Sequence, residues 1–329
     1  MIDILNIQPN VISRDLRGKY VLLYGNPKSG KTTAAASFPK ALLCAFEKGY
    51  NAIGGVIAAD ITKWTEFKQI INQLKTPEAQ SKYDTIIIDT ISIAWEMCEK
   101  YVCTQAGEQK ISDIAWGQGY DTLKREFASA LRTITQLGYG IVLIAHSGSR
   151  TEKVNNQETV YYYPDMPKRA TEICNGLVDI IGYIGEEFDE NYVSHRYLYT
   201  RPTPNIYAGS RYKYLAPKIP FGYEELTKAL DEAIQMSEKI DGAVVVDKTL
   251  SKEIEVLDFN LIMNQLKDLW KTLVTDASEE EKEINAQTIL KKAEIIFNRR
   301  MKLSEITEDQ VDLANLLLSE IQDFANTLK

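Results

Sequence analysis

The chain has 329 residues, 44% of them hydrophobic and 26% charged, with a formal net charge of −8. That composition suits a globular protein with one large domain and a smaller one, and it argues against a disordered, fibrous or disulfide-stapled chain. No apolar run approaches the roughly 18 residues of a membrane span, and the first residues lack a basic, apolar, small-residue signal pattern; a cytoplasmic location without membrane contact is expected.

The first predicted strand is 19–24, a short apolar run with β-forming residues. It leads into Gly25-Asn26-Pro27-Lys28-Ser29-Gly30-Lys31-Thr32, a complete G-x-x-x-x-G-K-T loop, and Thr33 follows. An Ala-rich helix at 31–38 then stops at Pro39. This spacing answers the needs of a triphosphate. Gly25 and Gly30 permit backbone conformations that a side chain would block. Successive N–H groups then turn inward and cradle a phosphate. Lys31 has the reach for the β- and γ-phosphates, and the Thr32 hydroxyl is a ligand for Mg²⁺. The expected ligands are therefore ATP and Mg²⁺.

The next strand, 41–46, ends at Glu47. Hydrolysis needs a carboxylate near the γ-phosphate to orient or deprotonate water, and a Glu at the end of the neighbouring strand can reach it. A strand at 56–60 and a helix at 63–75 follow. Tyr83-Asp84-Thr85-Ile86-Ile87-Ile88-Asp89 is an apolar strand ending in an acid, which makes Asp89 the second metal-binding candidate. Helices at 91–104 and 118–137 precede the strand 140–145, which ends at His146. A polar residue there faces the crevice in which such sheets bind ligands, so His146 is read as a γ-phosphate sensor. Strands alternating with helices in this way predict a parallel sheet covered by helices.

Residues 147–157 read as a polar, flexible loop, in which Arg150 and Lys153 are candidate phosphate contacts. A helix at 167–176 and a strand at 178–184 follow. Residues 191–220 contain no Asp or Glu; they carry Arg196, Arg201, Arg211, Lys213 and Lys218 among six tyrosines. Two readings of this pattern stand. Cations interleaved with aromatic faces suit single-stranded nucleic acid, with Arg196 and Arg201 as contacts. Alternating Tyr also suits a strand covering the sheet edge. A helix at 223–236 closes a core expected to span 1–236.

Residues 237–257 read as a connector. Beyond it lie three amphipathic helices, 258–329. One face of the first carries Phe259, Ile262, Leu266, Leu269 and Leu273. Ser278 with Glu281, and Thr307 with Gln310, form capping boxes ahead of the other two. Ile284, Ile289, Ala293 and Ile296 are the expected inner face of the second. Residues 241–329 hold 11 Lys+Arg against 18 Asp+Glu, so the acidity is concentrated here and suits protein contacts better than DNA. The four cysteines are scattered and read as buried thiols.

Gly25–Thr32, Glu47-Lys48-Gly49, Asp89 and Ala145-His146 together resemble RecA-like ATPases. The details are similar to phage RecA-like nucleotide-binding proteins, which include single-strand annealing and recombination proteins; the resemblance spans residues 15–236. It implies a RecA-like P-loop core that assembles as a ring or filament, with 147–157 as a DNA-binding loop. It also implies a basic residue completing the ATP site of the next subunit, for which Arg211 is the first candidate and Arg201 the second. The expected activity is DNA-stimulated ATP hydrolysis by a protein that binds single-stranded DNA and promotes annealing or strand exchange. The acidic module is then a dock for a replication or single-strand-binding protein. Two alternatives stay open: a hexameric motor or helicase loader, and an ATP-binding switch without nucleic acid.

Overall fold

The computed structural model describes residues 11–154, 157–246 and 257–328, with the side chains of Trp116, Val154 and Gln157 left aside. These residues fall into two compact units, one within Pro9–Ile254 and the other within Glu255–Lys329.

The larger unit is built on a mixed, mostly parallel sheet. The unit's strands, of which β1 and β12 form a separate two-stranded sheet, begin in chain order with β1 (Ile12–Ser13), β2 (Tyr20–Gly25), β3 (Ala41–Ala45), β4 (Ala58–Asp60) and β5 (Thr85–Asp89). They continue with β6 (Gly140–Val154), β7 (Gln157–Pro164), β8 (Ile180–Phe188), β9 (Ser194–Tyr199), β10 (Gly209–Ser210), β11 (Lys218–Pro220) and β12 (Val245–Val246). The path across the sheet is β11-β9-β8-β2-β6-β5-β3-β4. From β8 to β4 all neighbours are parallel; β9 and β11 add an antiparallel edge.

The central strands are apolar throughout because both faces are covered. Leu22, Tyr24, Ile86, Ile88, Ile141 and Leu143 point into one core. Val21, Leu23, Ile87, Val142 and Ile144, their alternate neighbours, point into the other. The first core is closed by α2 (Trp64–Gln73), α4 (Ile91–Ala106), α5 (Gln118–Gln136) and α6 (Lys168–Leu177). The second is closed by α1 (Lys31–Ala36) and α7 (Tyr223–Asp241). A short helix, α3 (Pro77–Lys82), leads into β5 and carries a Thr76 cap whose hydroxyl accepts from Ala79 N. The helices present one stripe each; Leu226, Ala229, Leu230, Ala233 and Ile234 are the buried side of α7. All four cysteines are buried and free.

Two expectations are corrected in this unit. The segment after His146 is not a flexible loop: β6 runs on to Val154 and pairs antiparallel with β7. Asn155 and Asn156, within the expected loop, lie outside the described residues. The expected connector is partly structured, since α7 runs to Asp241 and β12 pairs with β1. Residues 247–256 of that connector lie outside the described residues.

The smaller unit contains α8 (Phe259–Trp270), a π-helical turn at Lys271–Thr275, α9 (Glu279–Phe297) and α10 (Val311–Thr327). Its core is Ile262, Leu266, Leu273, Ile289, Ala293, Leu317 and Ile321. The π turn displaces the ordinary hydrogen-bond ladder, and buried Asn285 donates to Leu273 O at 2.8 Å. That demand sets the rotation of α9. Asn285 faces inward and Ile284 is 65% exposed, which corrects the inner face expected for this helix. The Ser278–Glu281 box caps α9, and the Thr307–Gln310 box opens the 3₁₀ turn before α10.

Candidate functional site

Registers level four parallel strand ends. Gly25 of β2 lies opposite His146 of β6, Asp89 of β5 opposite Ile144, and Ala45 of β3 opposite Asp89. Phe46 N and Glu47 N both donate to Asp89 O, at 2.7 and 3.0 Å, which pins the end of β3 to the end of β5. Gly25, Asp89, Glu47 and His146 are thereby gathered at the carboxyl edge of the sheet, where ligand crevices form in such folds.

The glycine-rich loop joins β2 to α1. A Cβ on Gly25 would lie 2.8 Å from Ile184 O, so no side chain fits there. Gly30 has φ +91°, a conformation that side chains resist. Inside the loop, buried Lys31 donates from Nζ to Gly25 O at 2.9 Å and Asn26 O at 2.8 Å. Burial holds its pKa below the ordinary value, opposed by Asp89 and Glu47. The Thr32 hydroxyl donates to Asp89 Oδ2 at 2.6 Å. Burial raises the Asp89 carboxyl above its usual range, with the Thr32 bond pulling the other way. Two oxygen ligands, Thr32 in the first turn of α1 and Asp89 at the end of β5, stand beside the loop that Lys31 fills and fit a divalent cation held with phosphate; hard cations prefer such oxygens.

Glu47 Oε2 and His146 Nε2 lie 3.1 Å apart. Both are partly exposed, whereas His146 Nδ1 is buried and has no partner among the described residues. The pair ties the residue expected to position water to the residue expected to sense the γ-phosphate.

His146 belongs to β6, and its carbonyl accepts from Asp165 N, just past the end of β7, at 2.9 Å. Arg150 lies opposite Tyr161 in this hairpin. Its guanidinium sits 5.0 Å from the Tyr161 ring centroid and 5.3 Å from that of Tyr163, and Nε donates to Glu152. Lys153 is exposed further along the same strand. Tyr162, on the other face, stacks on Tyr183 at 5.3 Å, and the Tyr24 hydroxyl donates to its carbonyl. The hairpin is therefore seated on the residue that immediately precedes the glycine-rich loop.

The remaining cations are engaged differently from expectation. Arg201 donates to the carbonyls of Ser210, Tyr212 and Lys213, so its guanidinium knots β9 to the following loop. Arg211 pairs with Asp179 at 3.0 Å and donates to the carbonyls of Gly176 and Leu177. Neither is a free side chain extended toward DNA or toward another subunit. Lys213 pairs with Asp241, and Lys218 with Glu187 under the rings of Tyr197 and Tyr199. The strand reading of 191–220 thus accounts for Tyr197, Tyr199 and Lys218. Arg196 lies apart from the others: its Nη1 is 3.4 Å from Ser29 O, beside the glycine-rich loop of its own chain.

Comparison with known proteins gives two matches. Residues 17–212 match a family described as an AAA domain. The chain is also 30% identical over 333 residues to the SPbeta prophage-derived uncharacterized protein YorG of Bacillus subtilis (strain 168), covering 98% of each chain. Among the described residues no helix is long and apolar enough to cross a membrane.

Proposed function

The chain belongs to the AAA domain family of P-loop ATPases, and on that premise we propose a RecA-like ATPase whose nucleotide state governs binding of single-stranded DNA. Its task would be annealing or strand exchange in phage recombination; the phage setting is drawn from the prophage origin of its relative. One observation carries the reading. The strand that ends the catalytic cluster at His146 continues without a break into the hairpin that presents Arg150 over Tyr161 and Tyr163. Cation and aromatic faces side by side are what an unpaired strand requires, charge for phosphate and rings for bases.

In this reading Lys31 and the loop N–H groups bind the β- and γ-phosphates of ATP, and Thr32 and Asp89 hold Mg²⁺. The cation, when bound, offsets phosphate charge. Glu47 orients the attacking water and accepts its proton. Hydrogen bonding of His146 to the γ-phosphate competes with its bond to Glu47, so nucleotide binding releases Glu47 toward water and shifts β6 at the root of the hairpin. Assembly into a homo-oligomer is part of the proposal, with the acidic helical unit as a dock for a replication or single-strand-binding protein.

Arg150→Ala tests the hairpin's role. Fluorescence anisotropy with a labelled oligonucleotide in the presence of ATP should show affinity about tenfold weaker, as loss of one charge and one stacking platform requires, with ATP binding unaltered. Undiminished DNA affinity would remove the hairpin from the account.

A further inference from the structure

The sheet order fixes which way a nucleotide lies. Asp89, Glu47 and His146 end β5, β3 and β6, all to one side of β2 and its glycine-rich loop. The γ-phosphate and metal belong on that side. The other end of the nucleotide, its ribose and base, is therefore directed across β2 toward β8, β9 and β11.

Two side chains meet the loop there. Arg196 stands on β9 opposite Glu186 of β8, and Phe221 follows β11. The two are joined by a backbone bond, Phe221 N to Arg196 O at 2.9 Å. A Cβ built on Gly30 would come 3.3 Å from Arg196 Nη1 and 3.4 Å from Phe221 Cε1. The absent Gly30 side chain thus opens onto a guanidinium and a phenyl ring. Asn26, Pro27, Lys28, Ser29, Gly185 and Glu186 complete the crevice around Arg196. Glu186, the carboxylate nearest in register, accepts from the Ser194 hydroxyl, and the contact of Arg196 with Ser29 O is long. Arg196 is exposed, and among the described residues its other donors have no partner, which leaves them and its planar face open to a ligand; planar cations and rings both stack on nucleobases.

We infer that Arg196 and Phe221 form the wall that receives the base and ribose of the nucleotide, so that Arg196 serves its own subunit's ATP site instead of nucleic acid. This rests on the nucleotide-binding reading above. It assigns to β9 and β11, the antiparallel edge, the task of gripping the end of the ligand that the phosphate loop does not hold.

Calorimetric titration with ATP and with inorganic tripolyphosphate separates the two ends. Wild type, Arg196→Lys and Phe221→Ala are compared; Arg196→Lys keeps the charge and removes the plane. Each variant should bind ATP about tenfold more weakly, equivalent to about 1.4 kcal/mol, and bind tripolyphosphate as wild type does. Retained tripolyphosphate binding also shows that the loop is folded. Unchanged ATP affinity in both variants overturns the inference and leaves the nucleotide reading standing. Equal loss of ATP and tripolyphosphate binding overturns it too, because the effect then lies at the phosphates. Failure of wild type to bind either ligand removes the nucleotide reading and the inference together.

Discussion

Asp89 is a buried carboxyl that the proposal assigns to a cation. Its pKa is raised above the ordinary 3.8 by burial. A carboxyl raised in the folded state stays protonated while its unfolded counterpart ionises, so stability falls as pH climbs from 3.8 through the folded value. Asp89→Asn avoids that cost. Thermal melts without nucleotide should give a Tm a few degrees higher than wild type at pH 7, with the gain shrinking as pH falls toward 3.8; hydrolysis should fall by at least about tenfold. A lower Tm at pH 7 would contradict the burial argument. At this scale the sequence was informative where chemistry dictates spacing. Gly25 to Thr32 is contiguous, and Asp89, Glu47 and His146 each end an apolar run, so their convergence follows from parallel strands alone. The position of Arg196 was not legible, because it depends on β9 crossing beside β8, two strands away from the loop it reaches.

The hairpin shows what local pattern conceals. The strands buried on both faces announce themselves as apolar runs, and each was anticipated within a few residues. The outer half of β6 reads Ser147-Gly148-Ser149-Arg150-Thr151-Glu152-Lys153, polar on both faces because both are wet. Its partner carried the overlooked signal: Thr159-Val160-Tyr161-Tyr162-Tyr163 is dense in β-forming residues. A similar lesson applies to Arg201, which composition groups with nucleic-acid cations and the fold uses as a cross-link. Arg201→Ala removes donors from three carbonyls and should cost about 1–3 kcal/mol in denaturant unfolding, leaving single-stranded DNA affinity unchanged. Stability equal to wild type with weakened DNA binding would return Arg201 to the DNA-contact reading.

At the scale of the whole molecule, the AAA domain match ends at residue 212, whereas the prophage-derived relative matches through both units. The helical unit thus travels with the ATPase core in that relative, as expected of a part that serves the same task. The two ends of the phosphate loop divide the labour. One side joins Glu47, Asp89 and His146 to the hairpin proposed to bind nucleic acid; the other carries Arg196 and Phe221. If the hairpin transmits nucleotide state, then DNA bound to it must in turn alter ATP affinity, since coupling is reciprocal in binding free energy, and the proposal places His146 and Glu47 where that coupling reaches hydrolysis. Steady-state ATP hydrolysis is therefore the direct measurement, made with and without single-stranded DNA, duplex DNA and RNA, in wild type and Lys31→Ala. The account predicts several-fold stimulation by single strands that vanishes in Lys31→Ala. Hydrolysis indifferent to every nucleic acid would contradict it and favour an ATP-binding switch.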